Sequence, residues 1–587
     1  MFDAIAREAI YITALGRTLR RMRHVRPDSP VTIVDIVDGF ARDNPCAPAI
    51  LFEERTLSYA QLVQDANRYA HWAHAQGIGR GETVALLMEN RPEYIAAWLG
   101  LLKAGAVAAL INTNLRGGPL AHSIAIADVK HVIVGAELAE AFAEIRPLLQ
   151  SQPMVWTQGG GNLDAALASA SPDAPDPSWR AGVTCNDRAL YIFTSGTTGL
   201  PKAAQITHLR MLFMMYGFAG GLNSGPADRM YNVLPLYHSA GGICAVGVAL
   251  TAGGALVLRR KFSVHEFWND CYRYKPHFFQ YIGELCRYLL NAPPALHERE
   301  HGLRAIIGNG LRPEIWPAFQ ERFAIPKIIE FYGATEGNVS MLNYDGKLGA
   351  VGRVPWYMRR LVTNRIVRFD IAHEMPVRGA DGFCIECQPG EAGEAIGQIT
   401  AEPGKTFDGY TKQADTEKKV LRDVFAAGDA WFRTGDLMRR DEHDYFYFVD
   451  RIGDTFRWKG ENVATSEVSE ALGVIPGIKE ANVYGVAVPG QDGRAGMAAL
   501  VTGFSFDVTT LAASLAGNLP SYAQPVFLRL QPEIDITGTF KQKKTDLVAE
   551  GFDPTTVRDP LYVLEDGRYV PLDAERYTDI LAGKAKL

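Results

Sequence analysis

The chain has 587 residues, enough at roughly 150 per domain for about four lobes, or for one large domain with a smaller companion. Its 60 Lys and Arg against 66 Asp and Glu give a formal charge of -6, which excludes the bulk positive field of a dedicated DNA or RNA binder. With 47% hydrophobic and 21% charged residues the composition is globular, and seven cysteines without a spaced framework point to a reducing, intracellular compartment. Cys384 and Cys387 read as two isolated thiols, because no second pair and no nearby histidine completes a metal or redox site.

The first predicted element lies within an amphipathic segment, residues 1–30. Ile5, Ile12, Leu15, Leu19 and Met22 share one helical stripe, while Arg7, Arg17 and Arg21 lie opposite. Such a helix suits a membrane surface. Glu8 in the stripe and Ile10 on the basic side keep docking on the protein body as the alternative. Arginines after the apolar part, with no small-residue cleavage site, argue against a signal peptide. The expected location is cytoplasmic, with peripheral attachment to the inner face of a membrane as the finer reading.

From Thr32 to about Val183, helical patterns at 62–75 and 92–104 alternate with β-branched runs at 84–87 and 129–134. That alternation predicts layered α/β architecture. It continues through strand-like runs at 190–193, 305–307 and 327–330, each ending in a glycine-containing loop of the kind where ligands gather. Between them, Met230 to Leu258 carries no Asp, Glu, Lys or Arg and is long enough to span a bilayer. Pro235, His238, five glycines and the break at 251–254 favour a buried helix, turn and strand. Beyond Val449 the units shorten: helices near 466–472 and 511–519, and strands at 481–488 and 497–502. The predicted fold is α/β, with a large multi-lobed N-terminal domain of layered sheets and helices, 31–452, and a small α+β C-terminal domain, 453–587.

The most informative segment runs from Tyr191 to Lys202. A short apolar strand leads into Thr194, Ser195, Gly196, Thr197, Thr198 and Gly199, and a lysine, Lys202, follows. Glycines let backbone amides turn inward, hydroxyls add neutral donors and the lysine adds charge, which together suit a polyphosphate. A kinase-type Walker loop is excluded, since Lys202 is not followed by Ser or Thr and Pro201 stands where a helix should already run. The segment resembles the signature loop of the adenylate-forming superfamily, which includes acyl-CoA synthetases, amino-acid adenylation domains and luciferases.

That resemblance implies roles for residues elsewhere. In Phe331–Gly337, the ring of Tyr332 would pack on adenine beside Gly333 and Thr335, and Glu336, with Thr194, would reach magnesium. Asn309 and Gly310 resemble the adenine loop, and Asp436 of Thr434-Gly435-Asp436 resembles the ribose acid, with Arg451 a second ribose contact. Lys541 takes the place of the superfamily's catalytic lysine, although Pro-x-Gly-Lys is replaced here by Gly538-Thr539-Phe540-Lys541, and Lys543 and Lys544 stand close by. Gly453 would be the hinge of a mobile C-terminal domain, and Lys459 and Gly460 would line the tunnel for coenzyme A. Residues 308–316 and 433–468 closely resemble the fatty-acid-transport-protein and very-long-chain acyl-CoA synthetase branch, and the resemblance covers about residue 30 to the end.

In the superfamily the acid pocket adjoins the phosphate loop. Its entrance here is Leu234–Gly242, with His238 its polar residue. No carboxylate is present to pair a substrate ammonium, which disfavours amino acids. The small residues behind His238 leave room for a long alkyl chain or, alternatively, serve tight helix packing. The implied activity is ATP-dependent, magnesium-assisted joining of a long- or very-long-chain fatty acid to coenzyme A, with Lys541, Glu336, Thr194 and His238 as catalytic residues. A membrane-associated fatty-acid uptake protein, a ligase for bile or aromatic acids and a luciferase-like oxidase are the competing readings, and a homodimer is left open.

Overall fold

The computed structural model describes residues 2–194, 200–371, 373–402, 404–491, 493–537 and 542–585. Two compact units emerge. One gathers the chain up to Gly310, Phe319–Lys347 and Ile399–Val420; the other gathers Leu311–Ala318, Leu348–Gln398 and the chain from Leu421 onward.

The first unit contains two sheets. Six strands run in the order Met154–Gln158, His131–Gly135, Thr83–Leu87, Val107–Leu110, Arg188–Thr194 and Lys202–Thr207, parallel except for the last pair. Eight strands form the other sheet, whose inner members Ile328–Gly333, Ala305–Asn309, Phe278–Ile282, Arg229–Asn232, Ala255–Leu258 and Pro48–Phe52 are parallel. Strands such as Val107–Leu110 and Ala255–Leu258 are buried on both faces, which is why they read as unbroken apolar runs without alternation. The predicted helices are Tyr59–Ala75, opened by a Ser58–Gln61 capping box, and Pro92–Lys103, opened by proline. They cross closely: a Cβ on Gly100 would lie 2.4 Å from the Cβ of Tyr69. The run expected from 129 starts as a strand only at His131, because Asp128 turns the chain with φ 49°.

The uncharged stretch from Met230 to Leu258 is interior. It contributes part of strand Arg229–Asn232, a π-helical turn at Ser239–Ala245, helix Val246–Leu250 and strand Ala255–Leu258, so the opening strand is an addition to the predicted helix, turn and strand. Gly253 has φ 71° and faces the ring of Phe40, leaving no space for a side chain. Among the described residues no helix is long and apolar enough to cross a membrane.

Helix Phe2–Met22 docks on helix His208–Leu222 with the face that carries Arg17 and Arg21. Tyr11, Ala14 and Thr18 are buried, and Thr18 fills the space beside Gly220. Arg17 donates to the Gly220 carbonyl at 3.0 Å and Arg21 to that of Ser224. Carbonyls at a helix C-terminus lack intrahelical partners, so guanidinium donors are favoured there over apolar side chains. Ile5, Ile12 and Leu19 of the apolar stripe are consequently 56–60% exposed, whereas Leu15 and Met22 are half-buried.

The second unit holds an antiparallel sheet containing Ala392–Gln398, Ala430–Arg440 and Tyr445–Arg451, and a five-stranded sheet beginning Ile478–Val486 and Ala495–Thr502. Helices Thr465–Gly473 and Val508–Ala516 lie near their expected positions, and the structure adds strands Phe527–Leu530, Leu561–Glu565 and Arg568–Pro571.

Candidate nucleotide site

Strand Arg188–Thr194 returns as the antiparallel strand Lys202–Thr207, and Thr194 and Lys202 are directly paired. The phosphate-loop segment is therefore a hairpin between two strands, unlike the strand-to-helix geometry of a Walker loop. Ser195, Gly196, Thr197, Thr198 and Gly199 lie outside the described residues. The Lys202 ammonium sits 3.0 Å from the Asp415 carboxylate and 5.5 Å from the centre of the Tyr410 ring.

Tyr332 and Gly333 end strand Ile328–Gly333, and the turn after them carries Thr335 and Glu336. Arg210, in the first turn of helix His208–Leu222, fixes this turn. Its guanidinium donates to the carbonyls of Thr335 at 2.9 Å, Ala334 at 3.1 Å and Gly337. Burial lowers the Arg210 pKa below the ordinary guanidinium value, and the nearby charges of Asp408 and Glu336 oppose that shift. Glu336 accepts a hydrogen bond from the Tyr410 hydroxyl at 2.7 Å, and the Thr194 side chain lies near the same phenol. Thr194, Lys202, Thr335 and Glu336 thus share one neighbourhood.

The adenine-loop candidates are tied to that neighbourhood through a buried acid. Glu330, 2% exposed, accepts from the Tyr281 hydroxyl at 2.6 Å and from the Gly310 amide at 3.0 Å, and stands two residues before Tyr332 on the same strand. Asn309 ends strand Ala305–Asn309, and Gly310 turns with φ 79°, which favours glycine. His238 caps the Ser239–Ala245 turn: its Nδ1 accepts from the Ala240 amide at 3.4 Å. The next residue, Ser239, shares a 3.1 Å hydrogen bond with Thr335. A Cβ on Gly241 or Gly242 would strike the carbonyls of Pro235 or Leu236, and one on Gly247 would strike Met215. At these three positions smallness is accounted for by packing and supplies no space for an alkyl chain.

The remaining candidates belong to the second unit. Asp436 and Arg451 are paired across adjacent strands. The Thr-Gly-Asp turn is held by the Thr434 hydroxyl, which donates to the Ala395 carbonyl at 2.7 Å, and by Gly435 at φ 80°. Lys459 and Gly460, both with positive φ, form the two-residue turn between Phe456–Trp458 and Glu461–Val463. Lys541 lies outside the described residues. Lys544 is committed elsewhere, donating to Asp454 at 3.0 Å and to Thr465 at 2.8 Å.

Sequence reasoning missed Arg210, Glu330, Tyr410 and Asp415. Tyr410 and Glu336 are 74 residues apart in the chain, and no local pattern links them.

Parallel sheets ending in a hydroxyl-and-lysine hairpin and a Thr-Glu turn, with an antiparallel unit carrying Thr-Gly-Asp, define the adenylate-forming fold. Solved structures share it: ATP-bound MatB from Rhodopseudomonas palustris matches with TM-score 0.74 and 26% identity over 87% of this chain and 98% of that one. A Mycobacterium tuberculosis fatty acyl CoA synthetase shares the fold at TM-score 0.62 and 23% identity, over 88% and 98% of the two chains. The family model described as AMP-binding enzyme matches residues 37–379, more than half of the chain. Long-chain fatty acid transport protein 2 of Rattus norvegicus is 41% identical over 98% of this chain and 95% of its own length, and long-chain fatty acid transport protein 1 of the same species is 44% identical over 97% and 90%. The chain belongs to the AMP-binding enzyme family of adenylate-forming acid–CoA ligases, in the branch of the long-chain fatty acid transport proteins.

Proposed function

We propose that the protein is an AMP-forming ligase that activates a long- or very-long-chain fatty acid with ATP and transfers it to coenzyme A. The observation that carries this reading is the meeting of Thr194, Lys202 and Glu336 around one phenol at the base of the hairpin. Hydroxyl, ammonium and carboxylate together suit a metal-bound polyphosphate. The chain length of the acid is supported by the names of the relatives, not by the glycines behind His238.

In the first step a carboxylate oxygen of the acid bonds to the α-phosphorus of ATP and pyrophosphate leaves. The protein contributes positioning and charge neutralisation, from Lys202, Lys541 and the hairpin amides, and His238 orients the acid at the pocket entrance. In the second, the thiol of coenzyme A attacks the acyl carbonyl, loses its proton and displaces AMP. Tyr332, Asn309 and Gly310 would hold adenine, and Asp436 and Arg451 the ribose. A C-terminal domain from 453 would turn about Gly453 between the steps and bring Lys459 and Gly460 toward pantetheine. Magnesium fits the donor set: a cation that keeps waters and takes one or two protein ligands plus phosphate oxygens would be held by Glu336 with Thr194. When bound it neutralises phosphate charge.

ATP-dependent pyrophosphate release, assayed with acids of increasing chain length, is expected to peak among long chains. A peak with aromatic or bile acids would replace the substrate assignment. Fatty-acid binding without ATP- and coenzyme-A-dependent thioester formation would favour the uptake reading suggested by the relatives' names.

The outward Ile5, Ile12 and Leu19 stripe supports peripheral attachment, with Arg20 and Arg23 exposed beside it to meet anionic headgroups. Co-sedimentation with phosphatidylserine vesicles is expected to fall at least several-fold in the triple variant Ile5→Ser, Ile12→Ser, Leu19→Ser. Unchanged sedimentation would remove the helix as the attachment site.

A further inference from the structure

The segment around Tyr410 is built as an extra edge on the phosphate hairpin. The Gln205 amide donates to the Gly409 carbonyl at 3.2 Å, the Thr411 amide donates to the Ala203 carbonyl at 3.2 Å, and the Gln205 side chain reaches the Tyr410 carbonyl at 3.0 Å. Gly409, with φ 72°, lies so close to Thr416 that a Cβ there would come within 2.7 Å of its hydroxyl. The Thr416 hydroxyl in turn accepts from the Tyr410 amide at 3.0 Å. Tyr410 is 6% exposed, and its backbone is therefore fixed from both sides. Its ring lies beside Lys202, and its hydroxyl makes the 2.7 Å bond to Glu336.

A buried phenol used only for packing has no need of a carboxylate. Here the hydroxyl is directed at the acid that the reading above assigns to magnesium, with the phenol O–H donating and the carboxylate accepting. The bond uses Oε1 of Glu336, and Oε2 would be the oxygen that meets a cation. Groups that hydrogen-bond a metal ligand fix its orientation, and losing one commonly costs about 10- to 100-fold in metal affinity.

We propose that Tyr410 is a positioning residue for the nucleotide reaction: seated on the hairpin by its backbone, it orients the Glu336 carboxylate for the magnesium that accompanies ATP. The inference rests on the reading of the site as an ATP site, and its test separates the two. ATP binding to the full-length protein is followed by calorimetry while Mg²⁺ is titrated, and again in EDTA, for the natural sequence and for Tyr410→Phe. The variant keeps the ring beside Lys202 and loses only the hydroxyl. Its half-saturating Mg²⁺ concentration is expected to rise about tenfold, equivalent to about 1.4 kcal/mol. Its thermal midpoint and its metal-free ATP affinity are expected to stay the same.

An unchanged Mg²⁺ dependence overturns the proposal. So does a fall in thermal midpoint with all binding weakened equally, which would mark Tyr410 as a packing residue. Tyr410→His, which retains a ring and an N–H donor, is the second variant, and it is expected to recover part of the Mg²⁺ affinity. If the natural sequence binds no ATP with or without Mg²⁺, the ATP-site reading fails first and takes the proposal with it.

Discussion

Lys541→Ala is expected to lose adenylation by about 10²- to 10³-fold, the range for removing one preorganised charge from a developing oxyanion, while still converting a synthetic acyl-adenylate and coenzyme A to the thioester. The asymmetry follows from the chemistry of the two steps. Phosphoanhydride exchange gathers negative charge on the carboxylate, the α-phosphate and the leaving pyrophosphate, where an ammonium is most effective. Thioester formation begins with AMP already attached and a neutral thiol entering. Neighbouring lysines offer the control, because Lys544 is held by Asp454 and Thr465 and so has a structural partner of its own. Lys544→Ala is therefore expected to reduce thermal stability and to spare the ratio of the half-reactions. Equal loss of both half-reactions in Lys541→Ala would remove the lysine from the first step, and a selective loss of adenylation in Lys544→Ala would transfer the role.

The parts of this molecule that were legible in the sequence are those whose cause is local. Strand His131–Gly135 and helix Pro92–Lys103 announce themselves because burial on both faces or on a helical stripe fixes residue type at short range. Thr194, Lys202 and Glu336 could be picked out because a backbone turn and a cluster of hydroxyls and charge occupy one short segment each. What decides how those residues are held was not legible. Tyr410 reaches Glu336, and Arg210 reaches the 334–337 carbonyls, across separations that only the completed fold closes. The N-terminal helix is instructive for the opposite reason. Its two faces were read from local spacing, but which face docks depends on the carbonyls at Gly220 and Ser224, and these favoured arginines over the apolar stripe.

Arg210→Met is expected to impair stability and adenylation together, and by more than a surface arginine would. Removing the guanidinium leaves the carbonyls of Ala334, Thr335 and Gly337 without its hydrogen bonds and leaves Asp408 without the counter-charge that opposes its raised pKa. Breaking such a buried arrangement from one side costs about 3 to 5 kcal/mol, and the turn that carries Thr335 and Glu336 loses its hold. A misplacement of about 1 Å in a positioned group can lower the rate about 10²-fold. Arg210→Lys keeps the charge but not the fork of donors, so it is expected to recover part of the stability and little of the rate. Asp408 gives the variant a pH signature. Burial already raises its pKa above the ordinary carboxylate value, with Arg210 opposing the rise. A carboxyl with a raised native pKa binds more protons folded than unfolded, so its contribution to stability falls as pH rises from the ordinary value through the raised one. Without Arg210 that window extends upward, and the deficit of Arg210→Met, measured by thermal melts, is expected to be larger at neutral pH than under acidic conditions. A deficit independent of pH would show that Asp408 does not sense Arg210, and full adenylation in a folded Arg210→Met protein would show that the turn holds its shape without it.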